Sequence, residues 1–163
     1  MEVTIRPLRE EDARTSVKWR NDSEVFKYTG GVYDHEITLE MELAWIRKVM
    51  ANKDEYRCAI LVDGVYVGNI YLTDISKESA QYHIFIGDRT YWGKGIAKKA
   101  SRIILRHAFN SLTLDWVYLR VQRQNKAALQ LYRGLGFSVY GEDERWISMK
   151  LDSAVFEGRD SEK

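Results

Sequence analysis

A single cysteine, Cys58, stands in a chain of 163 residues. An intrachain disulfide is therefore impossible, and thiolate zinc sites and cysteine-rich secreted scaffolds are excluded with it. No uninterrupted apolar run approaches the roughly 18 residues that a membrane helix needs. The opening residues, MEVTIRPLREED, lack the apolar core of a signal peptide, so the expected compartment is the cytoplasm and no membrane partner is expected. Net charge is scarce too: 25 Lys and Arg oppose 24 Asp and Glu, a formal +1. With 45% hydrophobic and 30% charged residues, the chain is too apolar and too neutral to be disordered as a whole. No repeat, linker or low-complexity tract divides it. Its length suits one domain, expected over residues 1–151, with residues 152–163 a polar, frayed tail.

The balanced total hides an asymmetry. Residues 1–88 carry 11 basic and 16 acidic side chains, whereas residues 89–163 carry 14 and 8. The run from Arg89 to Arg106 holds Arg89, Lys94, Lys98, Lys99, Arg102 and Arg106 and no acid. A local positive field of this kind suits a polyanion. Nucleic acid is disfavoured, because the basic run is largely one helix and the whole chain is nearly neutral. A phosphorylated cofactor fits better.

Periodicity predicts a strand over Val3–Arg6, a helix over Arg9–Arg20, a structured loop over 21–37 that contains Gly30 and Gly31, and a second helix opened by Thr38. Tyr56–Val62 and Val65–Thr73 flank Asp63-Gly64, a hairpin signal, and Ala80–Gly87 is the next strand. An amphipathic helix begins at Ile96, with Ala100, Ile103, Ile104, His107 and Ala108 on one stripe. Trp116–Val121 is a strand, and Asn125 starts a helix that ends at Gly136. Strands at Phe137–Gly141 and Arg145–Leu151 close the order. The hairpins require antiparallel pairing and the strand–helix–strand unit requires parallel pairing, so the fold is α/β with a mixed, mostly antiparallel central sheet flanked by helices.

The chemistry centres on Tyr91-Trp92-Gly93-Lys94-Gly95-Ile96-Ala97. The glycines permit a tight turn and close approach of a ligand. The unpaired amides of Gly95, Ile96, Ala97 and Lys98 at a helix N-terminus favour a phosphate or pyrophosphate. No Gly-Lys-Ser/Thr follows, so the loop is not a Walker A motif. The third glycine of a dinucleotide fingerprint is missing as well. About thirty residues on comes Asn125-x-x-Ala128-x-x-Leu131-Tyr132-x-x-x-Gly136-Phe137. Asn125 and Tyr132 lie seven residues apart, which puts them on one helix face about 10 Å apart.

Together the two segments resemble the acetyl-CoA-binding signature of the GCN5-related N-acetyltransferases (GNAT). The resemblance extends in element order over nearly the whole chain and is sharpest over residues 80–141. It implies the GNAT fold, acetyl-CoA as cofactor, and a glycine loop that binds the CoA pyrophosphate through backbone amides. It also implies that Asn125 contacts the pantetheine arm and that Tyr132 is the general acid toward the departing thiolate. The expected cofactor residues are Ile84, Phe85 and Ile86 on the strand, then Trp92, Gly93, Lys94, Gly95, Ile96, Ala97 and Lys98, and Asn125. Trp92 departs from the Gln or Arg usual at its position. A Tyr-Trp-Gly-x-Gly variant resembles the branch related to ribosomal-protein alanine acetyltransferases.

Direct attack of a neutral amine on the thioester needs a donor for the oxyanion, expected from a main-chain N–H of the strand carrying Ile84 and Phe85. A thiol near pKa ~8.5 and a phenol near ~10 are matched closely enough for Tyr132 to protonate sulfur. Cys58, mid-strand, reads as a buried small residue. Relatives often carry a Glu on the fourth strand, but here it reads Gln81-Tyr82-His83-Ile84-Phe85. His83 is therefore the expected base, with Asp74 and a water chain as alternatives. No metal is expected.

Acceptor recognition is expected in the first ninety residues. Trp19-Arg20-Asn21-Asp22-Ser23-Glu24-Val25, His35-x-Ile37-Thr38-x-Glu40, Trp45 and Asn69-x-x-x-Thr73-Asp74-Ile75 resemble acetyltransferases that act on nucleotide-linked amino sugars. Arg20, Asn21, His35 and Asp74 are the expected acceptor contacts. Asp22, Glu24, Asp34, Glu36 and Glu40 offer a different reading, attraction of a peptide N-terminus or a polyamine. An amino sugar is the first expected acceptor and a protein N-terminus the alternative. A module that binds acyl-CoA without turnover is the rival of another class. Exposed sheet edges leave room for a homodimer.

Overall fold

A computed structural model describes residues 1–27 and 35–160. Gly30, Gly31 and Asp34 lie outside the described residues. The chain forms β1 (Val3–Pro7), a 3-10 turn (Glu10–Asp12), α1 (Ala13–Arg20), α2 (Leu39–Met50), β2 (Tyr56–Val62), β3 (Val65–Thr73) and β4 (Ser79–Ile86). A second 3-10 turn (Arg89–Tyr91) leads to α3 (Ile96–Arg106), which widens into a π-helical turn over His107–Ser111. Then come β5 (Trp116–Gln122), α4 (Lys126–Leu135), β6 (Ser138–Glu142), β7 (Trp146–Asp152) and α5 (Ser153–Asp160).

The sheet runs β1-β2-β3-β4-β5-β7-β6. Every neighbouring pair is antiparallel except β4 with β5. Alternation explains how one sheet serves two cores. On β2, Cys58, Ile60 and Val62 belong to the large core beneath α3, α4 and α5, whereas Ala59 belongs to a smaller one with Leu8, Ala13 and Ile46 beneath α1 and α2. Both faces are covered, so β2 reads as a continuous apolar run from Cys58 to Val62. Most of the expected stripe is inside: Ile96, Ala100, Ile104 and Ala108 are at most 1% exposed and Leu105 joins them, while Ile103 and His107 are half-buried. Each buried Ile or Leu contributes roughly 1.5–3 kcal/mol.

The helix ends follow local chemistry. Thr38 caps α2 by accepting from the Met41 amide at 3.2 Å. Asn125 caps α4 by accepting from the Ala128 amide at 3.2 Å. At the other end of α4, the Phe137 amide donates to the Tyr132 carbonyl and the Gly136 amide to the Arg133 carbonyl, a Schellman closure.

The tail departs from expectation. Residues 153–160 form α5 instead of fraying, because Phe156 is 4% exposed with its ring 5.3 Å from that of Phe109. Arg159 donates to the Gly134 carbonyl at 3.1 Å and Arg106 pairs with Asp160 at 2.8 Å. Among the described residues, no helix is long and apolar enough to cross a membrane.

The feature that positions the site is the parting of β4 from β5. They pair only through Ser79–Trp116, Ala80–Val117 and Gln81–Tyr118. Beyond Gln81, β4 keeps only β3 as a partner, and beyond Tyr118, β5 keeps only β7. A wedge opens between them at the N-terminal ends of α3 and α4.

Candidate active site

The wedge is the floor of a cleft of about 870 Å³. Tyr82, His83, Ile84, Phe85 and Ile86 of β4 form one side, and Arg120, Val121 and Gln122 of β5 the other. The Gly87 amide donates to the Val67 carbonyl of the neighbouring strand, while the Ile86 carbonyl accepts from the Trp92 indole at 2.8 Å. Main-chain groups on a paired strand alternate in direction, so those of Ile86 and Ile84 turn away from β3 and toward the wedge. The Phe85 amide turns the other way. Phe85 contributes its ring instead, which packs at 6.1 Å from that of Trp19 and 5.1 Å from that of Phe26.

The loop after β4 is built for an anion. Asp88 caps its 3-10 turn by accepting from the Thr90 amide and hydroxyl at 3.0 and 2.7 Å. The Trp92 indole ties the loop back to β4. Gly93 and Gly95 both have left-handed φ, +75° and +78°, and open space stands where a β-carbon would be. The first amide of α3 to find a main-chain partner at Gly95 is that of Lys99, at 3.3 Å, which leaves the amides of Ile96, Ala97 and Lys98 at the helix mouth without a preceding turn. Lys94 and Lys98 add positive charge beside them, and all of Trp92 to Lys98 line the cleft.

Across from the loop, α4 presents Asn125, Ala128, Leu131 and Tyr132 to the same cleft. Tyr132 is 8% exposed, edge-on to Tyr82 at 5.8 Å. Burial first, then the neighbouring Tyr71 phenol, pushes its pKa up, so it stays protonated at neutral pH. Tyr82 is held by a hydrogen bond to Ser101, whose hydroxyl in turn donates to the Ala97 carbonyl at 2.6 Å; this fastens β4 to the first turn of α3.

His83 also faces the cleft, but its environment does not suit a proton acceptor. Its Nε2 lies 2.9 Å from the Thr73 hydroxyl and its ring stacks on Tyr71 at 4.7 Å. Burial, aided by the charge of Arg57, lowers its pKa to about 4. The imidazole is therefore neutral at pH 7, with its Nε2 engaged by the Thr73 hydroxyl.

Of the four expected acceptor residues, only Arg20 lines the cleft. Asn21 is a latch: its amide nitrogen donates to the carbonyls of Val17 and Ile37, and its oxygen accepts from the Ile37 amide at 2.8 Å. Two of these three bonds tie the end of α1 to Ile37, and both amide N–H groups are used. His35 and Asp74 are exposed and stand outside the cleft lining, Asp74 at a turn with φ +49°. Trp19 is core, 7% exposed, and lies so close to Gly87 that any β-carbon there would collide with its ring. Glu24, Phe26, Lys27, Tyr71, Arg120 and Trp146 line the cleft without having been singled out as contacts, apart from the charge of Glu24. Arg120 had a signal: it is the one charged residue of its strand.

A family model described as "Acetyltransferase (GNAT) domain" matches residues 2–138. The chain belongs to the GNAT acetyltransferases. It is 32% identical over 143 residues to spermidine N(1)-acetyltransferase of Escherichia coli K12, covering 86% of this chain and 75% of that one. A crystal structure of spermidine N-acetyltransferase from Vibrio cholerae, in complex with CoA and spermine, matches with a TM-score of 0.85 at 22% identity, covering 95% and 98% of the two chains. Campylobacter jejuni PseH in complex with acetyl coenzyme A matches with a TM-score of 0.72 at 19% identity, covering 93% and 99%.

The GNAT enzyme is thus an acetyl-CoA-dependent N-acetyltransferase, which sets aside binding without turnover. Its own residues fit that cofactor. The open space at Gly93 and Gly95, the amides at the α3 mouth and the flanking lysines suit a pyrophosphate. The wedge beside Ile84 and Ile86 offers a row of outward main-chain groups to the rest of a long, thin molecule.

Proposed function

We propose that this N-acetyltransferase acts on an amino sugar that carries negative charge, a nucleotide-linked amino sugar being the concrete case. The observation that carries this is the charge of the cleft wall. Arg20, Lys27, Lys94, Lys98 and Arg120 line it against one carboxylate, Glu24, among the described residues. At the acceptor end, Arg20 and Lys27 line the wall together with Glu24, and Arg20 is also paired with Glu42 behind it. Asp22 is matched by Arg89 at 3.0 Å and Glu42 by Arg20 at 3.2 Å, so these two carboxylates near the cleft are compensated. A polycation would meet repulsion in such a cleft, whereas a phosphorylated acceptor would be drawn in. The E. coli relative named for spermidine favours a second reading, a polyamine acceptor.

Acetyl-CoA supplies the acetyl thioester. Tyr132 holds a proton on its phenol oxygen and is placed to give it to the leaving sulfur. The outward amides of Ile84 and Ile86 stabilise oxygen that gains negative charge. Asn125 and the amides of Ile96, Ala97 and Lys98 bind and orient the cofactor. His83, held from behind by the Thr73 hydroxyl, forms a neutral polar wall beside the amine, which gives its proton to water.

The test is acetylation of UDP-glucosamine, glucosamine, spermidine and an N-terminal peptide, followed by product mass. Support is a kcat/KM for UDP-glucosamine at least about ten times that for glucosamine and for spermidine. Preference for spermidine rejects the amino-sugar reading in favour of the second.

A further inference from the structure

We propose that Glu42 is a positioning residue for acceptor binding, acting through Arg20. Glu42 sits in the first turn of α2, where the helix N-terminus favours a carboxylate, yet it is only 2% exposed. One oxygen accepts from the Ser16 hydroxyl at 2.7 Å, and the two lie 3.2 and 3.3 Å from the Arg20 Nε. Arg20 is the last residue of α1 and its side chain is 13% exposed. Its guanidinium carbon lies 4.1 Å from the centre of the Trp45 ring and 5.2 Å from that of Phe26. One edge of the guanidinium is thereby held by charge and its plane by two aromatic rings.

Arg20 and Phe26 line the cleft; Glu42, Ser16 and Trp45 do not. The second group is a mount standing behind the wall. Removing a carboxylate from water is costly, and well-packed apolar residues often replace a buried ion pair without loss of stability. What the ion pair adds here is direction. A free arginine samples many rotamers, whereas one clamped at Nε and on its faces presents a single orientation to the acceptor. The acceptor end of the cleft is thus set from behind by α2, an element that does not touch it.

The inference rests on the proposed acceptor for its choice of probe, UDP-glucosamine. Glu42→Gln, nearly isosteric and uncharged, raises the KM for UDP-glucosamine about ten-fold and leaves the KM for acetyl-CoA within about two-fold of the parent. Arg20→Gln has the same signature, and the Glu42→Gln/Arg20→Gln double variant is no worse than Arg20→Gln alone, because the first residue works only through the second. Trp45→Leu, which removes the stacking face and leaves every charge in place, raises the same KM; it carries the test should Glu42→Gln fail to fold. Losses that multiply in the double variant, an equal rise of both KM values, or an unaltered KM in Trp45→Leu overturns the proposal. Failure of the acceptor reading shows separately, in the parent enzyme, as preference for spermidine; the same cycle run with spermidine then decides whether Glu42 acts through Arg20.

Discussion

The two walls of the cleft are made of different material. The wall proposed for the cofactor, Ile84 to Ile86 and Trp92 to Lys98 with Asn125 and Tyr132, is mostly main chain: strand amides turned outward, a helix mouth, and two left-handed glycines. The wall proposed for the acceptor is mostly side chain. Arg20 ends α1 and Phe26 follows it, Tyr71 comes from β3 and His83 from β4; Arg20 stacks on Trp45, Tyr71 on Arg57 and His83 on Tyr71. A backbone wall is specified by a short run of neighbouring residues and accepts one ligand. A side-chain wall is specified by distant contacts and can be re-cut for a new acceptor while the fold stays intact.

Four substitutions test that division. Tyr132→Phe acts where the two walls meet and has the largest effect: kcat falls about 100-fold or more in steady-state assays, while the KM for acetyl-CoA stays within a few-fold. A full-strength enzyme would remove the phenol from the reaction. Gly95→Ala comes next. Nothing blocks the methyl group, but φ of +78° strains it by about 1–2 kcal/mol, so the KM for acetyl-CoA rises about ten-fold and that for the acceptor does not. A change in acceptor KM alone would blur the division. Trp92→Phe removes the bond to the Ile86 carbonyl; a single hydrogen bond is worth about 0.5–1.5 kcal/mol, so acetyl-CoA binding by calorimetry weakens by a few-fold.

The smallest effect on turnover is expected at His83. His83→Gln keeps most of kcat, and the pH profile of the parent shows no step that this substitution removes. Its effect is on stability. The imidazole titrates near 4 when folded and near 6.5 when unfolded, so between those values the unfolded chain binds more protons. Stability accordingly falls as the pH drops from 7 toward 4, by about 2 kcal/mol at pH 5 for this group. Thermal melts of His83→Gln should show a shallower loss between pH 7 and 5. An unaltered slope would mean that the ring is solvated.

The same division explains what could be read from the sequence. Strand limits such as Tyr56–Val62 and Val65–Thr73, the caps at Thr38 and Asn125, and the glycine loop all rest on interactions within a few residues, and each stands where periodicity and local chemistry put it. The acceptor residues depended on which distant side chains meet. Asn21 has the chemistry of a sugar ligand, but its amide is consumed by Val17 and Ile37. His83 has the chemistry of a base, but Thr73, Tyr71 and Arg57 arrive from two other strands to make it a weak one. Tyr71 has no such signal, because an aromatic residue in a strand carries no mark that tells a cleft wall from a core. Residues 153–160 look polar in sequence; one phenylalanine and two ion-bearing ends were enough to dock them.

That last segment has a reach beyond its size. Through Arg106–Asp160 it grips the far end of α3, and through Arg159 and the Gly134 carbonyl the far end of α4. Those are two rods that line the cleft: α3 opens onto it with its first amides, and the last turn of α4 carries the Tyr132 phenol, two residues from the Gly134 carbonyl that Arg159 holds. Cutting the polypeptide at Asp152 would therefore unbuckle both rods at once, at the base of the phenol on one and at the end opposite the glycine loop on the other.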